Sequence, residues 1–466
     1  MLNFYGREQI FSDEAINSGN VLQVLERVSQ KHGKNKNQIQ FLYDFYRGKQ
    51  PVLARTKEIR PEICNRIVEN WANAIVSFKV GYICGSPIQY VSGKSKEDLS
   101  EAIDTLNDYM DELGKFAVDK DLFEWQMICG TSFRAIFSDE NDIAQINSLD
   151  PRCAYVIYSN DISKKPLAGV YVSIRDDAVN KVKYTTVYTE SEIIVVKDKG
   201  IESVTPNTLG AIPIIEYPLN NARLGCIEIV LDLLNAINEL DSNRMDGVEQ
   251  FVQSLMVIYN AHLEDETGNS IREKGLVELK SVGDNKADIK IISEQLNQDQ
   301  TQTLKEDILQ RIREIVGLPS QGNGNTGDSS NNGAMILKGG WENAETRARD
   351  AEMMFKRSEI PFLKILFNIF KTKNIVSLEP RDVDIRFTRR NYENIQVKSQ
   401  VLTTMLANEK IAPKLAFESC GMFIDPEEAY RESQEYEENR RIEQPNIEDD
   451  ADNSTNDEEG SNRFAP

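Results

Sequence analysis

Ile63, Ile67, Trp71, Ile75 and Phe78 recur at spacings of three and four, the rhythm of a helix with one buried face. Gly81 and Gly85-Ser86-Pro87 end that rhythm, and Ile88–Val91 then reads as a strand. A second helix is expected over about Lys96–Phe123, running on through Trp125. From about Ser132 to Pro218 the rhythm shortens to strand-like runs. Phe133–Phe137, Ala154–Ile157, Leu167–Ile174, Val182–Tyr188 and Glu192–Val196 stand between turn residues, which predicts an antiparallel α+β region built on hairpins.

After Pro218 the helical rhythm returns over a much longer stretch. Cys226–Ala261 holds no proline and one interior glycine, Gly247. Ile227, Val230, Leu231, Leu234 and Ile237 form one stripe, and Val248, Phe251, Val252 and Leu255 resume it. Between them lies the polar run Asn238–Arg244. As one helix this segment would reach on the order of 50 Å, well beyond the usual three to four turns. Short strands are expected at Leu276–Leu279 and Ile289–Ile292, and an amphipathic helix at Thr303–Val316 that stops at Gly317-Leu318-Pro319. Gln321–Gly333 is rich in Gly, Asn and Ser and reads as a loop. A second long helix follows at about Ala334–Thr372, interrupted at Gly339-Gly340 and kinked near Pro361, then a strand at Asp382–Thr388. Short helices fill Tyr392–Tyr436, and the acidic stretch 437–466 is expected to be disordered.

Composition narrows the chemistry. The 466 residues exceed one ordinary core, and no run of eighteen apolar residues is present to span a bilayer. The start, MLNFYGREQIFSDEAIN, lacks the basic-then-apolar order of a secretion signal, so work in the cytoplasm or inside an assembled particle is expected. Six dispersed cysteines without a Cys-x-x-Cys pair read as buried thiols. With two histidines, His32 and His262, far apart in sequence, zinc sites and Ser-His or Cys-His catalysis have little to draw on. The net charge of −21 argues against a surface that grips DNA throughout, because that grip comes from Lys and Arg releasing counterions.

Gly322-Asn323-Gly324-Asn325-Thr326-Gly327 fits G-x-G-x-x-G, and Gly322, Gly327 and Ser329 approach a phosphate-loop spacing. A helix rather than a strand precedes them, and Asp328 stands where the phosphate loop needs Lys, so nucleotide binding is disfavoured. The clusters Asp139–Asp142 and Asp449–Asp452 lack a calcium-loop register and read as solvated loops. No carboxylate pair or nucleophile is singled out, so no enzyme and no cofactor is expected.

What remains is architecture: two long helices bracketing a small β insert and a shorter helix, with a loop before the second long one. That order resembles the portal proteins of tailed bacteriophages, of the type found in siphophages of Gram-positive hosts. The resemblance runs from about Asn65 to Glu438. It is carried by Asn65–Tyr90, Gly210–Asn260, Gly333–Ala351 and the closing segment IAPKLAFESCGMFIDPEEAYRESQEYEE. It implies an α+β portal-type fold with a mixed wing (1–225, with 373–391) and a long helical stem (226–261 and 303–318). It also implies a small α/β clip (262–302), a tunnel loop (319–335), a long returning helix (336–372) and a helical crown (392–436). The implied function is a dodecameric ring that conducts double-stranded DNA. Its implied partners are the terminase large subunit, major capsid or scaffold proteins and a head–tail adaptor, with no membrane. A phage head or scaffold protein without a channel is the alternative.

On that resemblance, Asp232, Glu239 and Asp241 are candidates for acids facing the channel, where strong phosphate contacts would act as a brake. The tunnel loop, Gln321 to Ser329 and on to Gly333, holds no Lys or Arg, which leaves Lys338 as the nearest cation. Arg272, Lys274 and Lys280 form a basic stretch in an otherwise acidic clip and are candidates for a partner contact.

Overall fold

A computed structural model describes residues 5–58, 60–93, 99–138, 144–177, 180–252, 255–259, 288–292, 298–319, 340–389, 395–423 and 425–443. The chain divides into two compact units, residues 1–390 and 391–466.

Among the described residues, the first unit mixes helices with four sheets. Helix α1 (Val21–Tyr46) is followed by α2 (Trp71–Ile83), α3 (Ser100–Glu112) and α4 (Lys115–Cys129). Strands β1 (Ile10–Ser12), β5 (Ala154–Ser159), β6 (Pro166–Asp177), β7 (Asn180–Tyr188), β8 (Glu192–Lys197) and β9 (Gly200–Pro206) form a six-stranded sheet in that order. All neighbours in it are antiparallel except β1 and β5, which pair in parallel. A second sheet, ordered β10-β3-β4, contains β3 (Thr131–Phe137), β4 (Gln145–Leu149) and β10 (Ile214–Pro218). Strand β2 (Gln89–Ser92) pairs antiparallel with the distant β13 (Val383–Arg386). The α+β class expected from the sequence is the class observed.

Two apolar cores lie under these sheets. The smaller gathers Val156, Ile157, Val170, Val187 and Ile194 from the six-stranded sheet against Val21, Val24 and Val28 of α1. The larger joins Ile39, Leu42 and Phe45 of the same helix to Ile75, Phe123, Leu234, Phe355, Phe362 and Phe370. One helix therefore threads both cores, its buried residues recurring every three to four positions as helical geometry requires.

The long segments follow. A 3₁₀ turn at Glu228–Val230 leads into α5 (Leu231–Val252), and α6 covers Gln298–Val316. Helix α7 spans Trp341–Lys373 and runs through Pro361. The second unit holds α8 (Ile395–Leu406), α9 (Pro413–Cys420) and α10 (Pro426–Glu443).

Several expectations are corrected here. The helix expected over Cys226–Ala261 stops at Val252. The apolar run Leu255–Tyr259 is instead strand β11, paired antiparallel with β12 (Asp288–Ile292). Five consecutive apolar, β-branched or aromatic residues suit a strand once a partner strand exists, and only tertiary pairing reveals that partner. The 22-residue α5 is therefore about 33 Å long. The helix expected over Lys96–Phe123 is two helices, broken at Gly114 in the left-handed conformation (φ 64°). The helix expected from Ile63 begins at Trp71, where the Asn70 side chain accepts a bond from the Asn73 N–H at 3.4 Å. Helix α10 continues to Glu443, into the stretch expected to be disordered from Glu437.

Gly130 shows why one junction needs glycine. It ends α4 at φ 78°, and a Cβ there would lie 2.1 Å from the Arg223 carbonyl oxygen. That close approach sets the turn before the first long helix against the end of α4.

Candidate functional site

The polar residues of α5 fall into two sets with different partners. Asn238, Ser242 and Asp246 stand four residues apart and are buried. Four helical residues rise about 6 Å, and two residues of extended chain advance nearly the same distance. The segment 63–70, which carries little regular structure, uses that coincidence. Its alternate N–H groups each find one α5 side chain. Asn65 donates to Asp246 Oδ1 at 2.7 Å, Ile67 to Ser242 Oγ at 3.0 Å and Glu69 to Asn238 Oδ1 at 2.8 Å. This segment is a strap tied to the helix by side chains alone. Without those acceptors its N–H groups would lack partners, which explains why short polar residues occupy buried helix positions.

The ladder is closed at both ends. Asp246 Oδ2 accepts from Arg55 Nη1 at 2.8 Å and pairs with Lys57 at 2.5 Å, and Oδ1 also accepts from Asn65 Nδ2 at 3.0 Å. Burial alone would raise the Asp246 carboxyl, but the bonds from Lys57, the Asn65 backbone and Arg55 hold it down at about 2. At the other end Asn238 Nδ2 donates to Gln50 Oε1, whose own amide donates to the Phe45 carbonyl and to Asn70 Oδ1, each at 3.1 Å.

Helix α6 joins the same assembly through Lys305. Its ammonium lies 2.9 Å from Glu69 Oε2 on the strap and 3.0 Å from Asp241 Oδ2 on α5. Asp241 is thus neutralised within the chain by a cation from the neighbouring helix. Asp232 and Glu239 differ. Both are exposed, neither makes a hydrogen bond or ion pair with a described residue, and seven residues of helix bring them to one face.

A second polar constellation fixes α7 within the first unit. Glu359, fully buried, accepts from Tyr90 Oη at 2.7 Å, Tyr217 Oη at 2.8 Å and Arg134 Nη1 at 2.8 Å, with Lys115 Nζ at 3.2 Å. Asp119 completes the cluster by pairing with both Arg134 and Lys115. Two acids and two bases balance in a site closed to water. Burial would raise the Glu359 carboxyl, yet Arg134 and Lys115 hold it well below the usual carboxylate range.

Among the described residues no group of three or more His, Cys, Asp or Glu could hold a metal, and no helix is long and apolar enough to cross a membrane. Cys84, Cys129 and Cys226 are buried, and burial pushes each thiol up to about 12, which suppresses the nucleophilic thiolate. Burial also pushes His32, stacked on Tyr155, down to about 4.

Residues 25–445 match the model of the family described as phage portal protein, SPP1 Gp6-like. The chain belongs to that family. Among solved structures, this portal-family chain is similar to one described as "Neck of empty GTA particle computed with C6 symmetry". The identity is 12%, with 76% of this chain and 90% of that chain covered at a TM-score of 0.43, a likeness too loose to argue from. No curated protein matches the chain.

Of the site residues expected from the sequence, the structure brings Asp232 and Glu239 to one exposed face and gives Asp241 to Lys305. Lys338, the tunnel loop from Gln321 to Ser329, and the clip residues Arg272, Lys274 and Lys280 lie outside the described residues. So do His262, the strand expected at Leu276–Leu279 and both acidic clusters. The sequence reading missed Asn238, Ser242 and Asp246 as a ladder. Their spacing of four among short polar side chains was the available signal, but it identifies no partner.

Proposed function

We propose that copies of this portal-family chain close into a ring, twelve by the family resemblance, at one vertex of a phage head. The ring would conduct double-stranded DNA during packaging and ejection. The observation that carries this reading is the family match over residues 25–445. The stem geometry supports it. Helices α5 and α6 are cross-linked by Lys305, Asn238, Ser242 and Asp246 of α5 hold the strap, and Asp232 and Glu239 stay exposed without a described cation partner. Carboxylates facing a duplex repel its phosphates, so DNA can slide instead of adhering. The pair also exposes Met245, Val248, Leu304 and Ile315, apolar surface that neighbouring copies would cover in a ring. The terminase large subunit would dock on the clip and give way to a head–tail adaptor, with capsid or scaffold proteins around the ring.

Electron microscopy of the purified protein, paired with its mass in solution, tests the ring, and a particle with an axial hole is the expected result. A stable closed dimer or tetramer would sink it in favour of a head protein without a channel. For the channel itself, Asp232→Lys with Glu239→Lys should slow DNA packaging in an assembled head. Unchanged packaging by that variant would remove these two acids from the channel wall.

A further inference from the structure

Among the described residues, α1 carries a departure from the acidic character of the chain. Arg27, Lys31 and Lys34 are all exposed, and none makes an ion pair with a described residue. At 100° per residue the three fall within a sector of about 60°, and they span about 10 Å along the axis. Gln23, Gln30 and Asn37, also exposed, flank them with amide donors. Glu26 is about 100° away around the helix, and Asp44 is near the far end, paired with Lys49 at 3.4 Å. The adjoining face of the helix, about 70° around, is locked into both cores by Val21, Val24, Val28, Ile39, Leu42 and Phe45, so the basic stripe cannot turn inward. Lys36, farther around the same helix, and Lys183 of β7 add positive charge beside His32.

In a chain of net charge −21, three exposed bases with no acid inside their sector make a local positive surface that attracts an anionic partner. The chemistry of the stripe chooses between kinds of anion. Protein partners are gripped at buried aromatic or aliphatic anchors. Here Leu22, the large apolar side chain exposed on this helix, lies about 140° from Arg27. Phosphate is held by Arg and Lys with amide side chains and needs no apolar anchor. A duplex carries one charge per ~1.7 Å of axis, so a stripe of this length faces about six phosphates. We propose that the Arg27–Lys31–Lys34 face of α1 is a contact for the phosphate backbone of double-stranded DNA, independent of sequence. It is separate from the repelling stem face, and it requires neither ring closure nor a channel.

The test is the salt dependence of duplex binding by the full-length protein, followed by fluorescence anisotropy with a labelled 30-base-pair DNA. The comparison is with the triple variant Arg27→Glu, Lys31→Glu, Lys34→Glu. Losing three phosphate contacts should reduce the slope of log affinity against log salt by about 3. For the wild type, those contacts account for a loss of about 40-fold between 50 and 200 mM salt. Reversing Lys371, Lys373 and Lys410, exposed elsewhere, makes the same change in net charge and should leave the slope as it was. An unchanged slope in the α1 variant overturns the proposal, as does an equal loss in the control. A poly-glutamate peptide binding as tightly as DNA would reassign the stripe to an acidic protein. Circular dichroism checks that the variants fold, and failure of the channel reading would appear separately, in the microscopy.

Discussion

Replacing Asp246 with Asn keeps the shape of the side chain and removes its charge, which isolates what the carboxylate does for the strap. Oδ1 can still accept from the Asn65 N–H, now 2.7 Å away. The new NH₂ group, however, faces Arg55 or Lys57, donors that held the other oxygen at 2.8 and 2.5 Å. One acceptor becomes a donor opposite donors, and two cations lose their counterion. Breaking a fully buried pair costs about 3–5 kcal/mol. Arg55 and Lys57 are 16% and 24% exposed at their side chains, so water relieves part of that cost, and about 2–3 kcal/mol is expected. The strap has its own readout, because its N–H groups bond to α5 rather than to a helix or sheet of their own. Hydrogen exchange at Asn65 should accelerate by about 30- to 150-fold, the factor that corresponds to that energy. Ile67 and Glu69, bonded to Ser242 and Asn238, should respond less. If Asn65 exchanged at the wild-type rate while α5 stayed protected, the ladder would not be what holds the strap.

Two further outcomes follow from the buried charges. Glu359→Gln leaves two bases against one acid in a closed site and should destabilise the protein by about 3–5 kcal/mol, read as a lower urea midpoint. Adding Lys115→Met restores charge balance and should recover a large part of the loss, whereas no recovery would contradict the balance argument. His32 is held near 4, below its ordinary 6.5, so the unfolded chain takes up protons first as the medium is acidified. Stability should therefore fall as pH drops from 6.5 through 4, by up to ~3 kcal/mol, and His32→Phe should flatten that part of the profile. A profile of the same shape in both proteins would assign the acid sensitivity to carboxylates instead.

Elements whose partners are close in sequence were legible from pattern alone. The hairpin strands β5 to β8 fall where alternation put them, because a strand beside its neighbour is specified by its own residues and the turn between. Elements defined by distant partners were not. Ile63 and Ile67 imitate the rhythm of a helix, but their segment is claimed by α5, some 175 residues away in the chain for the Ile67–Ser242 bond. Leu255–Tyr259 extends a helical stripe on paper, and β12 converts it to a strand. The same limit applies at the site. The polar run Asn238–Arg244 was visible, and its acids pointed to a solvent-facing role. Which residues face inward depends on the strap, which no local pattern reveals. Arg134 and Glu359 are 225 positions apart, and neither stands out among the 54 bases and 75 acids of the chain.

The division of labour on α5 bears on how such a helix can serve a channel. Asn238, Ser242 and Asp246 bond the strap, and Asp241 binds Lys305, so the position of the helix depends on groups other than the exposed acids. Asp232 and Glu239 contribute to none of these bonds. Charge on the outward face can therefore vary without loosening the helix, because exposed positions without partners carry little stability. The converse holds for Asn238, Ser242 and Asp246, where any change that lost an acceptor would leave a buried N–H without a partner. A helix built in this way separates the chemistry that DNA would meet in a channel from the chemistry that holds the helix. Repulsion along a channel wall then need not be weakened by the cations that secure it, since Arg55, Lys57 and Lys305 are each engaged by an inward carboxylate.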